Sequence, residues 1–170
     1  MLHFKGFENS SSLIKEGYAY WKSKCTNNQI PSWSDINPSE IKALLPNVVI
    51  IHVSHEPLDF VERITGDAIL SRSAQNSMGK SWREYEGRGP DSQIWKVMEE
   101  VINLEQPSFH SIPYVGPHQE FMKVDTVACP LGGKDGQITR LLVFVDYLPT
   151  DDSDDISKFF VPESTKRFTI

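Results

Sequence analysis

Apolar side chains recur at helical spacing in two long segments of the chain. In residues 10–24 they appear every three or four positions, after serines that can cap a helix. Residues 90–107 repeat this spacing with a broader apolar face. Both segments are predicted to be helices that lie on a larger apolar surface. Their apolar residues are Ile14, Tyr18, Trp21 and Cys25 in the first and Ile94, Val97, Met98, Val101 and Ile102 in the second.

A short helix is predicted between these two, beginning at Asn37. Asn37 can cap it, Pro38 suits its first position, and Glu40 can reach back to the cap. Ile36 and Ile41 have the spacing of a hydrophobic staple across this start.

Five further segments are rich in β-branched and aromatic residues and predict strands. The last three are joined by short turns, which indicates an antiparallel meander. Residues 141–145 are apolar at every position, so both faces of the sheet must be covered there. The predicted fold class is α+β, with a five-stranded antiparallel sheet, helices across one face and the N-terminal helix on the other. The predicted strands are residues 47–53, 60–65, 109–115, 120–129 and 138–147.

Size and charge narrow the class of protein. A chain of 170 residues suits one domain with extensions, and its net charge of −6 disfavours a nucleic acid or an anionic membrane as partner. No apolar run is long enough to span a membrane, and the first residues do not resemble a secretory signal. With only two cysteines, Cys25 and Cys129, the sequence predicts a cytoplasmic protein.

Several short motifs follow one another between residues 31 and 148. Their order resembles that of short, stand-alone bacterial PAS-domain proteins. The motifs are Pro31, Asp35, Asn37-Pro38, Glu40, Leu44-Leu45-Pro46-Asn47, Glu56-Pro57-Leu58-Asp59-Phe60, Arg63-Ile64-Thr65-Gly66, Gly79-Lys80-Ser81, Gln106-Pro107 and Cys129-Pro130-Leu131.

The resemblance implies a sensory module with a cavity between the inner face of the sheet and the crossing helices. Such a cavity holds a small ligand or nothing, and output passes through a homodimer or a signalling protein acting in trans. The predicted division is an N-terminal helical extension over residues 1–30, a PAS-like sensor domain over 31–148, and an acidic, aromatic tail over 149–170. The tail is expected either to be solvated or to dock its aromatic residues on a neighbour.

Seven residues are candidates for ligand binding. Arg63 lies in a predicted strand at a position that matches the family, where it could hold a carboxylate ligand or pair with a carboxylate such as Glu62. The others could line an apolar pocket or simply fill the core. His110 could point inward, whereas His52 and His55 are expected to face solvent. The seven candidates are Arg63, Trp82, Trp95, Met98, His110, Tyr114 and Phe144.

The sequence gives little support for a bound haem or flavin, and it identifies no other cofactor. A haem would need an axial histidine such as His110, which more often is a structural residue. A flavin that forms a thiol adduct would need a cysteine between residues 66 and 105, and the sequence has none there. No metal site is predicted.

The predicted function is a sensory or regulatory module that binds a small molecule or a protein partner and catalyses nothing. The alternative is a small α+β enzyme of the isomerase or dehydratase kind, which would need an aspartate and a histidine converging in an apolar cavity. A pure adaptor with a filled core is a third option.

Overall fold

One antiparallel sheet organises the chain. The computed structural model describes residues 6–73, 76–114 and 121–149, without the side chains of residues 113, 121 and 122. The described helices are α1 (Ser12–Lys24), α2 (Asp67–Leu70) and α3 (Gln93–Leu104), with 3₁₀ helices at Trp33–Asp35, Pro38–Ile41 and Leu45–Asn47. The strands are β1 (Val48–His55), β2 (Leu58–Thr65), β3 (Ser108–Pro113), β4 (Phe121–Gly132) and β5 (Ile138–Pro149).

The strand order places the last strand at the centre of the sheet. The order is β2-β1-β5-β4-β3, and every neighbouring pair is antiparallel. Because β5 has a strand on each side and apolar residues of both parities, its side chains are buried above and below the sheet. The predicted α+β fold class with a five-stranded antiparallel sheet is confirmed.

Two apolar cores lie on opposite faces of this sheet. On the side that we call the α3 face, Leu141 and Val143 pack with Val101 of α3. On the opposite side, the α1 face, Leu142 and Phe144 pack with residues of α1 and with the 3₁₀ helices. The alternation of β5 side chains therefore divides one strand between two cores, and a helix covers each.

The N-terminal helix is held at both ends of its contact with the sheet. Ser11 caps α1 by accepting a hydrogen bond from the Ile14 amide at 3.4 Å, and its own amide donates to the Asp125 carboxylate of β4 at 2.9 Å. Near its other end, the Trp21 indole donates to the Pro130 carbonyl at 2.8 Å. Between these points Gly17 is buried against the ring of Phe144. The helix predicted over residues 10–24 is confirmed.

The short helix predicted at Asn37 is a 3₁₀ helix, and its capping differs from the prediction. The Asn37 side chain accepts from the Ser39 amide at 3.1 Å, as expected for a cap. Its own backbone amide, however, donates to the Tyr20 hydroxyl at 2.8 Å rather than to Glu40. The Glu40 carboxylate instead contacts Lys24 at 2.5 Å, because α1 passes close by. The predicted reach of Glu40 to the cap is therefore wrong.

Two predicted features lie outside the described residues. These are the turn at residues 116–118 and all of the C-terminal tail except residue 149.

Replacing Gly17 by alanine is expected to destabilise the protein, although alanine is the better helix former by about 1 kcal/mol. A Cβ atom at this position would stand 2.4 Å from Cγ of Phe144, so the helix must shift or the core must strain. We expect Gly17→Ala to lower the free energy of unfolding in urea by about 1–3 kcal/mol.

The exposed neighbour provides a control, since Glu16→Ala should change the free energy of unfolding by less than about 0.5 kcal/mol. In a Phe144→Leu background, which removes the ring, Gly17→Ala should cost less than in the wild type. A stabilising Gly17→Ala would contradict the proposed contact.

Candidate functional site

The α3 face brings together most of the predicted ligand-binding residues. Trp82, Trp95 and Met98 are buried there, and Tyr114 packs at the margin of the same core. Phe60 of β2 joins the two tryptophans, with ring centroids 5.3 Å from Trp82 and 4.8 Å from Trp95. The three rings thus form one contiguous aromatic cluster on this face.

Arg63 does not belong to this group. Ile51 faces Glu62 across the β1–β2 ladder and Ile50 faces Ile64, so Arg63 is the extra residue of a β-bulge. A bulge on an edge strand redirects a side chain, and Arg63 is exposed to solvent. The carboxylate suggested as its partner, Glu62, is bound by a different arginine.

Phe144 is also displaced from the predicted group. Its parity along β5 places it on the α1 face, where it is fully buried against Gly17. The two faces could not be told apart from the sequence, because β5 is apolar at both parities. The site described below includes neither Arg63 nor Phe144.

A buried ion pair is the feature that sequence reasoning missed. Glu62 is only 5% exposed, and one of its carboxylate oxygens binds the Arg88 guanidinium. Its other oxygen accepts from Ser77 at 2.9 Å and from Thr65 at 3.3 Å. Both oxygens of the Glu62 carboxylate therefore have hydrogen-bond partners, although the side chain is almost fully buried.

The Arg88 guanidinium lies among aromatic rings. It is 5.0 Å from the ring centroid of Trp82 and 5.7 Å from that of Tyr85, which are cation–π distances. Burial lowers the pKa of Arg88 to about 10, against a raising influence from Tyr147. The side chain nevertheless remains cationic at neutral pH, so the α3 face contains a complete charge pair.

The irregular segment around residues 77–82 holds these groups against β2. The Gly79 amide donates to the Glu62 carbonyl at 2.8 Å, and the Trp82 amide donates to the Phe60 carbonyl at 3.0 Å. These bonds cover the outer edge of β2, which would otherwise be open. They also fix where Trp82 enters the core.

The Trp82 indole nitrogen has an unusual environment. Trp82 is 1% exposed, and its Nε1 is buried with no hydrogen-bond partner among the described residues. A buried donor without an acceptor costs about 1–3 kcal/mol, so such a group calls for an explanation.

Two tyrosines close the margin of this face. The Tyr114 hydroxyl donates to the Arg72 carbonyl at 3.0 Å, and its ring meets that of Tyr147 edge-on at 5.7 Å between centroids. Burial raises the pKa of Tyr147, so its hydroxyl stays protonated at neutral pH. The two tyrosines are uncharged, and the charge on this side of the margin comes from the Arg72 guanidinium, 5.4 Å from the Tyr147 ring centroid.

The histidines are engaged in local contacts. His110 Nε2 lies 2.8 Å from the Ser108 hydroxyl, and burial lowers the pKa of His110. His52 and His55 were expected to face solvent, and this expectation is wrong because both are half-buried. Arg140 donates to His52 at 3.1 Å, and His55 lies 2.6 Å from the Ile138 carbonyl.

The enzyme alternative would need an aspartate and a histidine converging in an apolar cavity, and the structure brings His110 and Asp125 to one cleft whose other lining side chains are polar. In the described part of the chain, none of the histidines shares a hydrogen bond with an aspartate. The same residues bring together no three His, Cys, Asp or Glu side chains that could hold a metal ion. None of the described helices is long and apolar enough to cross a membrane.

Comparison with known proteins identifies the family. The model of the PAS domain matches residues 9–144, which is most of the chain and takes in α1. The chain belongs to the PAS-domain family. PAS domains are generally sensory, non-enzymatic modules, and this one is a sensory module in that general sense.

Among solved structures, the PAS domain described here is similar to a sensory box sensor histidine kinase from Vibrio cholerae. The two share 18% sequence identity with a TM-score of 0.48, over 66% of this chain and 90% of that chain. A search of the curated proteins finds no match.

Breaking the buried ion pair is expected to be costly. Arg88→Met would leave the Glu62 carboxylate buried without its cation, and we expect the free energy of unfolding to fall by about 3–5 kcal/mol. Replacing both residues by methionine should cost less than the single change, because no buried charge then remains.

The control for this series is Arg63→Met, which removes an exposed arginine from the same strand as Glu62. Urea unfolding should show a change within about 0.5 kcal/mol for this variant. Equal effects of Arg88→Met and Arg63→Met would contradict the assignment of a buried pair.

Stability is expected to fall as the pH drops through 6.5, the ordinary pKa of histidine. The pKa values of His52 and His110 are both lowered, each mainly by burial, and Arg140 and Arg63 contribute at His52. The unfolded chain therefore binds more protons than the folded protein in this range. The free energy of unfolding, measured in urea at several pH values, should depend less on pH in the double variant His52→Gln/His110→Gln than in the wild type. An equal dependence on pH in both proteins would contradict the prediction.

Proposed function

We propose that this PAS domain binds a small molecule on the α3 face of its sheet. The observation that supports this most strongly is the buried Trp82 indole nitrogen, which lacks an acceptor among the described residues. A ligand with a hydrogen-bond acceptor at this point would remove the cost of the unpaired donor.

The surrounding groups suggest the chemistry of the ligand. The rings of Trp82, Trp95 and Phe60 surround the indole nitrogen with aromatic side chains, and the Glu62–Arg88 pair places a polar group beside them. Because the two charges of the pair already neutralise each other, we propose a largely uncharged, planar ligand with at least one acceptor atom.

The output of the module is part of the same proposal. We propose that the chain forms a homodimer or contacts a separate signalling protein in the cytoplasm, and that ligand occupancy changes this contact. A ligand can shift such an equilibrium only by its difference in affinity for the two states, so it must contact groups that differ between them. Trp82 is suited to this role because it is joined both to the sheet and to Arg88.

Native mass spectrometry of freshly purified protein tests the proposal. The wild type should show a discrete mass above that of the polypeptide, and the same spectrum reports whether the protein is a dimer. Trp82→Phe keeps an aromatic ring but removes the N–H donor, and it should lose the bound molecule.

The matched control is Trp33→Phe, since Trp33 belongs to the core of the α1 face. This variant should retain the bound molecule. A wild-type spectrum with the polypeptide mass alone, or equal retention in Trp82→Phe and wild type, would count against a small-molecule ligand at this position.

A further inference from the structure

A cleft lies away from the α3 face, where the segment before α1 crosses β3 and β4. Its volume is about 260 Å³, and polar side chains from all three segments line it. Drug-sized ligands occupy pockets of about 300–1,000 Å³, so this cleft suits a smaller molecule. The residues that matter here are Asn9, Ser10, Ser111, Lys123 and Asp125.

One part of this lining can only accept hydrogen bonds. Asp125 is 1% exposed, and its carboxylate accepts from the Ser11 amide at 2.9 Å and from the Ser111 hydroxyl at 2.7 Å. The Ser10 hydroxyl donates to the Gly6 carbonyl at 2.8 Å. Because the hydroxyl protons of Ser10 and Ser111 are already donated, the two hydroxyl oxygens can accept hydrogen bonds from a ligand. They lie next to the Asp125 carboxylate.

The other part of the lining supplies donors. Lys123 is half-buried in the cleft, and the described residues provide it with neither an ion pair nor a hydrogen bond. A half-buried ammonium without a partner among the described residues can bind an anionic group of a ligand. Asn9 adds an amide that can donate as well.

We propose that this cleft binds a small zwitterion, namely a free amino acid with a short side chain. Lys123 and Asn9 bind its carboxylate, and its ammonium donates to Ser10 and Ser111 beside the Asp125 carboxylate. Lys123 and Asp125 together make the cleft electrically neutral, since His110, which also lines it, has a pKa lowered by burial and is uncharged at neutral pH. A simple anion is therefore opposed by Asp125 and a simple cation by Lys123. A zwitterion satisfies both charges. This site is independent of the ligand proposed for the α3 face.

Three related probes test the charge requirement on the full chain. L-alanine has both charged groups, propionate has only the carboxylate, and ethylamine has only the ammonium. In ¹⁵N-labelled protein, L-alanine should cause saturable shifts of the amides of Gly6, Ser10 and Ser111. Propionate and ethylamine should bind at least about tenfold more weakly, because each loses one charge-assisted contact.

Variants test the assignment to named residues. Lys123→Gln should raise the dissociation constant for L-alanine at least about tenfold, the expected loss for one charged hydrogen bond. Lys96→Gln removes an exposed lysine of α3 and should leave the dissociation constant unchanged. Trp82→Phe should also leave it unchanged, which separates this site from the one on the α3 face.

Several results would overturn the proposal. These are the absence of saturable shifts with L-alanine, equal binding of propionate or ethylamine, and equal binding by Lys123→Gln in a protein whose remaining amide spectrum is unchanged. Equal binding of propionate would show a simple anion site instead.

Discussion

The burial of β5 on both of its faces is the constraint on which the rest of the structure depends. Consecutive residues such as Val143 and Phe144 point to opposite sides, and both are almost fully removed from water. A sheet with such a central strand cannot leave one face solvated, so it needs a helical layer on each side. The helices α1 and α3 meet this need, and both candidate sites lie at the edges of those layers.

Much of the fold could be predicted from the sequence because its signals are periodic. The apolar spacing around Trp21 and Val101 marks α1 and α3, and the β-branched runs mark the strands. The same periodicity could not say which face of β5 meets α3, since both parities are apolar. That is why the sequence could not show that Trp82 and Trp95 share one core while Phe144 belongs to the other.

The parts of the site that escaped prediction depend on contacts between segments with no periodic signal. Arg88 lies in the irregular stretch between α2 and α3, and nothing in the local sequence indicates that it returns to Glu62. The bulge at Arg63 is equally hidden, because its register depends on pairing with β1. Alternation from Phe60 does place Glu62 on the buried parity, and a carboxylate there could have indicated a buried partner.

The way in which α1 is attached has a consequence for the order in which the protein can be built. Ser11 binds Asp125, 114 residues further along the chain, and Trp21 binds Pro130. During synthesis the first helix therefore emerges long before the strands that receive it. Its apolar residues Ile14 and Trp21 stay exposed until the meander is complete. Since contacts between distant residues slow folding, closure of this face is expected to be a late event in folding.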